Sequence, residues 1–149
     1  MKILILCTGN SCRSQMAQSF LSSFDHQLGV FSAGTEPAEK VNENAIAVME
    51  EVGIDLSDAY PKSVERYLDK DWDYVITVCG GANETCPAFA GKVKHRLHIG
   101  FDDPAAVTGS EDFVLNEFRR IRNEIKNRFY AFYIEEIKKQ ELPKCCCED

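Results

Sequence analysis

The chain has 149 residues, the length of one compact domain with a single core. Apolar residues make up 44% and charged residues 28%, a balance typical of a globular protein rather than a disordered one. Lysine and arginine number 17 against 24 acidic residues, and the net charge of −7 argues against a nucleic-acid or anionic-membrane partner. No apolar run approaches the roughly 18 residues of a membrane span, and residues 1–6 are too short for a signal peptide, so we expect a cytoplasmic location.

Four short apolar segments predict the strands of a parallel sheet. Residues 3–6 form an uninterrupted aliphatic run, which is typical of a strand buried on both faces. Residues 74–78 are rich in β-branched side chains and form the clearest strand. Residues 30–33 and 96–99 complete the set.

Apolar residues at three- and four-residue spacing predict amphipathic helices between these strands. A further short helix is expected over residues 64–68, and Gly53 is placed to cap the second helix. Thr108 and Glu111 form a capping-box pattern before the last helix. The apolar faces of the three helices contain Met16, Ala17, Phe20, Leu21, Phe24 and Leu28; Val41, Ala45, Val48, Met49 and Val52; and Val114, Phe118, Ile121, Ile125, Phe129 and Phe132.

The alternation of strands and helices predicts a single three-layer α/β domain, with a four-stranded parallel sheet and helices on both faces. We expect this domain to cover residues 1–142 and a flexible, cysteine-containing tail to cover residues 143–149. In such sheets, functional sites form at the carboxyl ends of the strands. The candidate positions are therefore Cys7, Cys79 and the segment after Ile99.

Cysteine is unusually frequent for a chain of this length. The odd number and uneven spacing do not fit the disulfide framework of a secreted protein, which leaves metal ligation, catalysis or redox exchange. Zinc is disfavoured and we predict no metal, because no C-x2-C pair is matched by a second pair and no histidine has ligand spacing to one. The seven cysteines are Cys7, Cys12, Cys79, Cys86, Cys145, Cys146 and Cys147.

The segment from Cys7 to Arg13 has the composition of an oxyanion-binding loop. Gly9, and to a lesser degree Asn10, permits backbone angles at which successive N–H groups point at one centre. The helix that follows adds free N–H groups and a positive dipole end, and Arg13 adds a planar fork of donors. The predicted loop residues are Thr8, Gly9, Asn10, Ser11, Cys12, Arg13 and Ser14.

This positive environment predicts a lowered pKa for Cys7 and hence a nucleophilic thiolate. Ser14 would hydrogen-bond the thiolate, Asn10 would brace the loop by bonding its backbone, and Cys12 is expected to pack away from the anion. The alternative is that Cys7 is a small buried residue and Arg13 a surface side chain. The position of the loop between a buried strand and an amphipathic helix favours the catalytic interpretation.

A second thiol, Cys79, follows a predicted strand just as Cys7 does, so neighbouring parallel strands would bring both sulfurs to one crevice. The small, polar stretch 80–85 would let Cys86 reach Cys79, and the three thiols would then exchange in sequence. The alternative is a core role for Cys79 and an unreactive loop position for Cys86. The neighbouring oxyanion loop favours the relay.

Asp103 and Pro104 follow the last predicted strand. Because Pro104 restricts the backbone before it, the Asp103 carboxyl would hold a fixed direction and protonate an oxygen departing from the loop. Most Asp-Pro pairs are simple turns, so this role depends on the loop. Residues 105–107 contain no aromatic side chain on which a phosphotyrosine ring would stack, which favours a small inorganic oxyanion.

Four motifs together resemble the thioredoxin-coupled arsenate reductases, which share the fold of the low-molecular-weight protein tyrosine phosphatases. They are CTGNSCRSQMA at 7–17, SAGT at 32–35, VCGGANETCP at 78–87 and GFDDPA at 100–105. The first and last motifs resemble both branches of that superfamily. The paired cysteines within the third motif are characteristic of the reductase branch.

The resemblance implies that Cys7 attacks arsenate held by the loop and Arg13, with Asp103 as the proton donor. Cys79 then attacks Cys7 and releases arsenite, and Cys86 attacks Cys79 to form a disulfide that thioredoxin reduces. No organic cofactor is implied, because the electrons arrive through thiols.

Three features depart from the family pattern or stand outside it. Some relatives bind a monovalent cation, potassium, near Asn10 with help from a glutamate of the first helix, but Gln18 stands at that position in this chain. The run at 145–147 has no counterpart in the family, and adjacent cysteines rarely close on each other, so we expect an exposed tail. His98 lies near the expected site, and a structural role at its strand end is the favoured interpretation.

Two other functions use the same residues. One is a low-molecular-weight protein tyrosine phosphatase that acts through the Cys7 loop and Asp103. The other is a non-catalytic sensor of anions or redox state, which would bind phosphate saturably without turnover. Serine at position 79 or 86 would stop a reductase but leave a phosphatase active.

Overall fold

Four parallel strands form the central sheet of the protein. They are β1 (Lys2–Cys7), β2 (Gly29–Gly34), β3 (Trp72–Thr77) and β4 (Val93–His98). Their order across the sheet is β2-β1-β3-β4, and all four predicted strands are confirmed with small shifts at their ends. The computed structural model describes residues 1–81 and 86–139, so the predicted boundary at residue 142 and the cysteine-containing tail lie outside the described residues.

Helical segments connect and cover the strands. The α-helices are α1 (Arg13–Phe24), α2 (Glu43–Glu50) and α3 (Glu111–Phe132). Two 3-10 helices, Val64–Tyr67 and Pro104–Ala106, and a π-helical turn, Tyr133–Lys138, are shorter. The short helix expected over residues 64–68 is thus present in 3-10 form. Within the described ranges, no helix combines the length and the apolar character that crossing a membrane requires.

The predicted extent of α1 was wrong at its carboxyl end. The helix ends at Phe24, and Asp25 has an extended backbone with a φ of −155°. The Asp25 carboxylate accepts a hydrogen bond from the Gln27 amide at 2.9 Å, a local turn that competes with another helical turn. Leu28 is buried, but it lies in the turn before β2 and not on the helix.

The predicted cap of α3 was also wrong. Ser110, and not Thr108, caps the helix: its side chain accepts a hydrogen bond from the Phe113 amide at 3.2 Å. The intervening Gly109 has a φ of +146°, which is not a helical conformation, so the helix begins only after Ser110.

The predicted cap of α2 is confirmed. Gly53 has a φ of +81°, in the left-handed region that glycine adopts without steric cost, and its amide donates to the Glu50 carbonyl at 3.0 Å. Val41 and Val52, expected on the apolar face, lie beyond the two ends of the helix. Val41 is buried, whereas Val52 is exposed.

Side chains from helical segments pack against both faces of the sheet, and the hydrophobic core of the domain lies around β1. Residues 3–6 are fully buried. On one face, the Tyr74 ring packs edge-on against Phe132 of α3, with centroids 5.2 Å apart. On the opposite face, Phe31 packs against Tyr67 of the first 3-10 helix, with centroids 5.8 Å apart. The two contacts fall on opposite faces because successive side chains of a strand alternate.

The register of the strands sets the position of the site. Leu6 of β1 pairs with Thr77 of β3, and the Val78 amide donates to the Leu6 carbonyl at 2.9 Å. Cys7, the last residue of β1, and Cys79, two residues beyond the end of β3, therefore lie at the same edge of the sheet. The Phe101 amide extends this pattern after β4 by donating to the Val78 carbonyl at 3.1 Å.

Gly34, at the end of β2, allows the loop after β1 to pass directly against the strand. A β-carbon at this position would overlap the Thr8 carbonyl oxygen and lie 3.1 Å from the Asn10 amide nitrogen. The atoms that this β-carbon would meet belong to the backbone, so no flexible side chain could move to make room for it. The contact requires glycine for space.

We expect Gly34→Ala to lower the free energy of unfolding by about 1–3 kcal/mol, because the added methyl group must displace the loop backbone. Gly29→Ala, at the other end of the same strand, is the matched control: its β-carbon would meet ordinary contacts at 3.4 and 3.5 Å. Urea denaturation of both variants measures the difference. Equal stabilities would contradict the close-approach argument.

Candidate active site

The loop between β1 and α1 turns sharply at Asn10. This residue has a φ of 50°, and among the described non-glycine residues it is the one with a positive φ. The unusual backbone angle was predicted mainly at Gly9 and to a lesser degree at Asn10; the prediction is confirmed for Asn10 and wrong for Gly9. Asparagine enters the left-handed region more readily than most residues because its short polar side chain forms local hydrogen bonds.

The side chain of Asn10 is completely buried and fixes the loop through four hydrogen bonds. Its Nδ2 donates to Ser14 Oγ at 2.7 Å and to Ser32 Oγ at 3.0 Å. Its Oδ1 accepts from the Lys62 amide at 2.9 Å and from Gln15 Nε2 at 3.2 Å. Asn10 braces the loop as predicted, but through partners on α1, β2 and the 60–63 segment instead of the loop backbone.

Cys7 Sγ lies at the base of this loop and is buried. Ser14 Oγ lies 2.8 Å from the sulfur, and the Asn10 amide donates to it at 3.0 Å. The predicted contact with Ser14 is present. Two hydrogen bonds therefore converge on the sulfur, and both stabilise a thiolate once it forms.

The predicted lowering of the Cys7 pKa is wrong for this structure. Burial raises the pKa of the Cys7 thiol above its ordinary value, and it outweighs the hydrogen bonds from Ser14 and Asn10, which lower it. The nearby Cys79 also raises it. Loop composition indicates the stabilising donors, but the degree of burial is a property of the packed domain. Deprotonation of Cys7 is therefore a step that the site must assist.

Cys12 occupies a different environment from Cys7. It is buried, and burial raises the pKa of its thiol far above the ordinary value, with Asp103 raising it further and Arg13 lowering it. Its carbonyl accepts the Met16 amide in the first turn of α1. These observations favour the packing role expected for Cys12.

Arg13 reaches across the site to the segment after β4. Its Nη1 donates to the Phe101 carbonyl at 3.0 Å, and its Nη2 lies 3.7 Å from Asp103 Oδ2. Asp103 also accepts a hydrogen bond from the Ala105 amide at 3.0 Å, which caps the 3-10 helix Pro104–Ala106 and fixes the carboxylate. The loop, the guanidinium and the candidate acid therefore occupy one site.

Cys79 joins this site, but Cys86 does not. Cys79 is buried, its Sγ lies 3.4 Å from Thr8 Oγ1, and it interacts electrostatically with Cys7. Cys86 is half-buried over β3 and β4, in a cavity that His98 also lines. Residues 82–85, which connect the two cysteines, lie outside the described residues.

His98 has a structural contact of the kind expected for it. Its Nδ1 lies 2.8 Å from Thr77 Oγ1 on the neighbouring strand. Three supports of the site are not evident from the sequence: Gln15 and Lys62, which hold Asn10, and the carbonyl of Phe101, which holds Arg13. No local motif marks these residues, because their roles depend on contacts between distant segments.

The expected cation position near Asn10 contains a neutral hydrogen-bond network. Ser32 Oγ accepts from Asn10 and donates to Gln18 Oε1, while Gln18 Nε2 donates to the Val30 carbonyl at 3.1 Å. In residues 1–81 and 86–139, no three acidic, histidine or cysteine side chains are grouped to hold a metal. This network contains no carboxylate that could bind a cation. It therefore does not fit the cation site of those relatives that have a glutamate in the first helix.

Comparison with known proteins identifies the family. Residues 2–142 match the sequence profile described as low molecular weight phosphotyrosine protein phosphatase. The chain belongs to this family. Its curated relatives include the arsenate reductases of Halalkalibacterium halodurans and of Bacillus subtilis strain 168. Each is 44% identical over 131 residues, which cover 87% of this chain and 93% of the relative.

Solved structures agree with this membership. An arsenate reductase in the phosphate binding state superposes with a TM-score of 0.75 and 32% identity, covering 90% of this chain and 97% of that one. A thioredoxin-dependent arsenate reductase of Corynebacterium glutamicum has a TM-score of 0.56 and 29% identity, covering 87% of this chain and 62% of that one. The fold and the family resemblance predicted from the motifs are both confirmed.

The hydrogen bond of Ser14 to the buried sulfur leads to a prediction about pH. Ser14 lowers a Cys7 pKa that burial has raised, so Ser14→Ala will raise it further and shift the thiolate to higher pH. At neutral pH, below that pKa, each unit of increase reduces the thiolate about tenfold. We expect alkylation of Cys7 by iodoacetamide at neutral pH to slow about tenfold for each unit by which its pKa rises.

Peptide mass spectrometry across neutral and alkaline pH measures this rate, because fragmentation of tryptic peptide 3–13 distinguishes Cys7 from Cys12. Ser19→Ala, on the same helix, is the matched control and leaves the profile unchanged. An unchanged profile for Ser14→Ala would show that the hydroxyl does not stabilise the thiolate.

Proposed function

We propose that this chain is an arsenate reductase that uses Cys7, Cys79 and Cys86 as successive thiols. The observation that carries the proposal is the position of Cys79, a second buried thiol beside Cys7 and 3.4 Å from the loop residue Thr8. Ester hydrolysis at this loop needs one nucleophilic thiol, whereas reduction of a bound oxyanion needs a second one within reach. The arsenate reductases among its relatives support the same activity.

In the first step, the loop amides, the amino-terminal end of α1 and Arg13 bind the arsenate oxygens. Cys7 Sγ attacks arsenic and forms an S–As bond, and one oxygen departs as water after taking a proton from Asp103. Arg13 already lies between the loop and Asp103, which orients the acid toward the departing oxygen. Because burial favours the protonated form of Cys7, its thiol proton must be lost to solvent or to the bound arsenate before the sulfur attacks.

In the second step, Cys79 attacks Cys7. A Cys7–Cys79 disulfide forms, the S–As bond breaks, and the electron pair of that bond remains on arsenic, which is released as arsenite. Cys79 is the thiol that forms a disulfide with Cys7 because the two residues share one site. Thr8 Oγ1 is placed to hydrogen-bond the attacking sulfur of Cys79.

In the third step, Cys86 attacks Cys79 and frees Cys7 as a thiolate, and thioredoxin then reduces the Cys79–Cys86 disulfide. Cys86 must move from its cavity on the sheet to reach Cys79. The thioredoxin-dependent enzyme among the structural relatives supports this reductant. No organic cofactor is needed, and a cytoplasmic location follows from a chemistry that begins with reduced thiols.

The decisive experiment measures arsenite production with thioredoxin, thioredoxin reductase and NADPH. We expect Cys79→Ser and Cys86→Ser each to abolish multiple turnover, because each breaks the chain of exchange. Cys86→Ser will still release about one arsenite per molecule, since the first two steps need only Cys7 and Cys79.

Cys145→Ser is the matched control and keeps wild-type turnover. Full turnover by Cys79→Ser or Cys86→Ser would overturn the relay. Saturable phosphate binding by a wild-type protein that makes no arsenite would favour a sensor.

The second candidate function is phosphatase activity, which the loop and Asp103 favour on their own. Ala105 and Ala106 beside the acid are exposed and offer no ring for a phosphotyrosine to stack on, so we infer residual hydrolysis of small aryl phosphates. Such hydrolysis uses Cys7 and the acid but not the relay.

The role of Asp103 as proton donor is tested on this residual activity. We expect Asp103→Asn to lower kcat for p-nitrophenyl phosphate by about a hundredfold, since proton donation to a leaving group contributes roughly that much. Asp102→Asn is the matched control: this neighbouring carboxylate points to Arg120 at 3.6 Å and not to the loop. Equal rates for the two variants would remove Asp103 from the mechanism.

A further inference from the structure

Cys86 and Arg96 share a cavity of about 370 Å³ on the face of the sheet opposite α3. The strand register explains which face of the sheet Arg96 occupies. Val75 pairs with Arg96 and Thr77 pairs with His98, so these alternate residues of β3 and β4 project toward one face. The segment that begins at Cys86 lies over that face.

Arg96 lies beside the segment of residues 86–89. Its guanidinium lies over the Phe89 ring, 5.4 Å from the centroid, and it lines the same cavity as Cys86, whose Sγ donates to the Pro87 carbonyl at 3.8 Å. No carboxylate in residues 1–81 or 86–139 lies within ion-pair distance of this guanidinium. Among the described residues, the groups that Arg96 lies nearest are the Phe89 ring and the cavity that contains Cys86.

We propose that Arg96 is a positioning residue that stabilises the thiolate of Cys86 in its cavity, before this sulfur moves to Cys79 for the third thiol exchange. The inference rests on the proposed function, because it assigns Arg96 a part in the last step of that relay. It goes beyond that function in naming a cation on β4, outside the oxyanion site, that controls the resolving thiol.

Arg96 assists the thiol exchange in which Cys86 displaces Cys7 from Cys79. Cys86 loses its proton to solvent and attacks Cys79 as a thiolate. The Cys79–Cys86 bond forms, the Cys7–Cys79 bond breaks, and Cys7 leaves as a thiolate. Because the attacking species is a thiolate, a nearby cation raises the fraction of Cys86 that can react.

The electrostatics of the cavity agree with this role. Burial raises the pKa of Cys86, whereas the positive charge of Arg96 lowers it. Of the described residues, the titratable groups that line the cavity with Cys86 are Arg96 and His98, both on β4. His98 is engaged with Thr77, so a His98→Gln variant measures its contribution separately.

The test measures the alkylation of Cys86 by iodoacetamide as a function of pH. In a Cys79→Ser background, tryptic peptide 71–92 contains Cys86 as its single cysteine, so mass spectrometry reports this thiol alone. We expect Arg96→Met to slow the reaction at neutral pH about three- to tenfold and to shift its profile to higher pH, where one pKa unit corresponds to tenfold. Arg96→Lys keeps the charge and stays close to the parent rate.

Lys94→Met removes a positive charge from the same strand and is the matched control. Lys94 is paired with Asp73 at 3.1 Å, and its loss leaves the Cys86 profile unchanged. A purely structural role for Arg96 predicts a different result, in which Arg96→Met alters the rate by the same factor at every pH. An Arg96→Met profile identical to the parent would also overturn the proposal.

A second measurement, with all cysteines present, separates this inference from the proposed function. Arg96→Met will release the first arsenite at the wild-type rate, and its acid-quenched products will contain more Cys7–Cys79 disulfide and less Cys79–Cys86 disulfide than the wild type. Unchanged disulfide proportions would overturn the role of Arg96. If the wild-type protein makes no arsenite, the proposed function fails, while the alkylation result still decides whether Arg96 controls the Cys86 thiol.

Discussion

The parallel pairing of β1 with β3 is the constraint on which the site depends. The bond from the Val78 amide to the Leu6 carbonyl continues the ladder to the ends of both strands, so Cys7 and Cys79 leave the sheet at the same edge. Two thiols separated by 71 intervening residues thus become neighbours through backbone geometry.

The site assembles positive groups within a protein of negative net charge. Its donors are backbone amides, the end of α1 and Arg13, and their positions are fixed by the buried amide of Asn10 and by the Phe101 carbonyl. The cost of this enclosure is the desolvation of Cys7, which raises the pKa of the thiol that must become the nucleophile. In the proposed reaction, the same donors therefore stabilise the bound oxyanion and the thiolate of Cys7. The exclusion of water strengthens the hydrogen bonds that both of them accept.

The three thiols occupy three different environments, and this division suits a sequential reaction. Cys7 is enclosed by the oxyanion loop, Cys79 lies at its rim beside Thr8, and Cys86 lies on the sheet next to Arg96. A thiol kept apart from the oxyanion site does not compete with Cys7 for the substrate. Its separate cation allows its reactivity to be set independently of the loop.

The sequence by itself determined the strands, the order of helices and strands, and the family, because periodicity and local motifs depend on neighbouring residues. Only the tertiary structure decided that Asn10 and not Gly9 carries the left-handed turn, that Ser110 caps α3, and that burial raises the Cys7 pKa. Left-handed geometry at Asn10 depends on Ser32 and Lys62, which are distant in the chain, and desolvation depends on the whole packed core. The position of Arg96 on the face of the sheet that Cys86 covers is likewise set by strand register, which no local pattern contains.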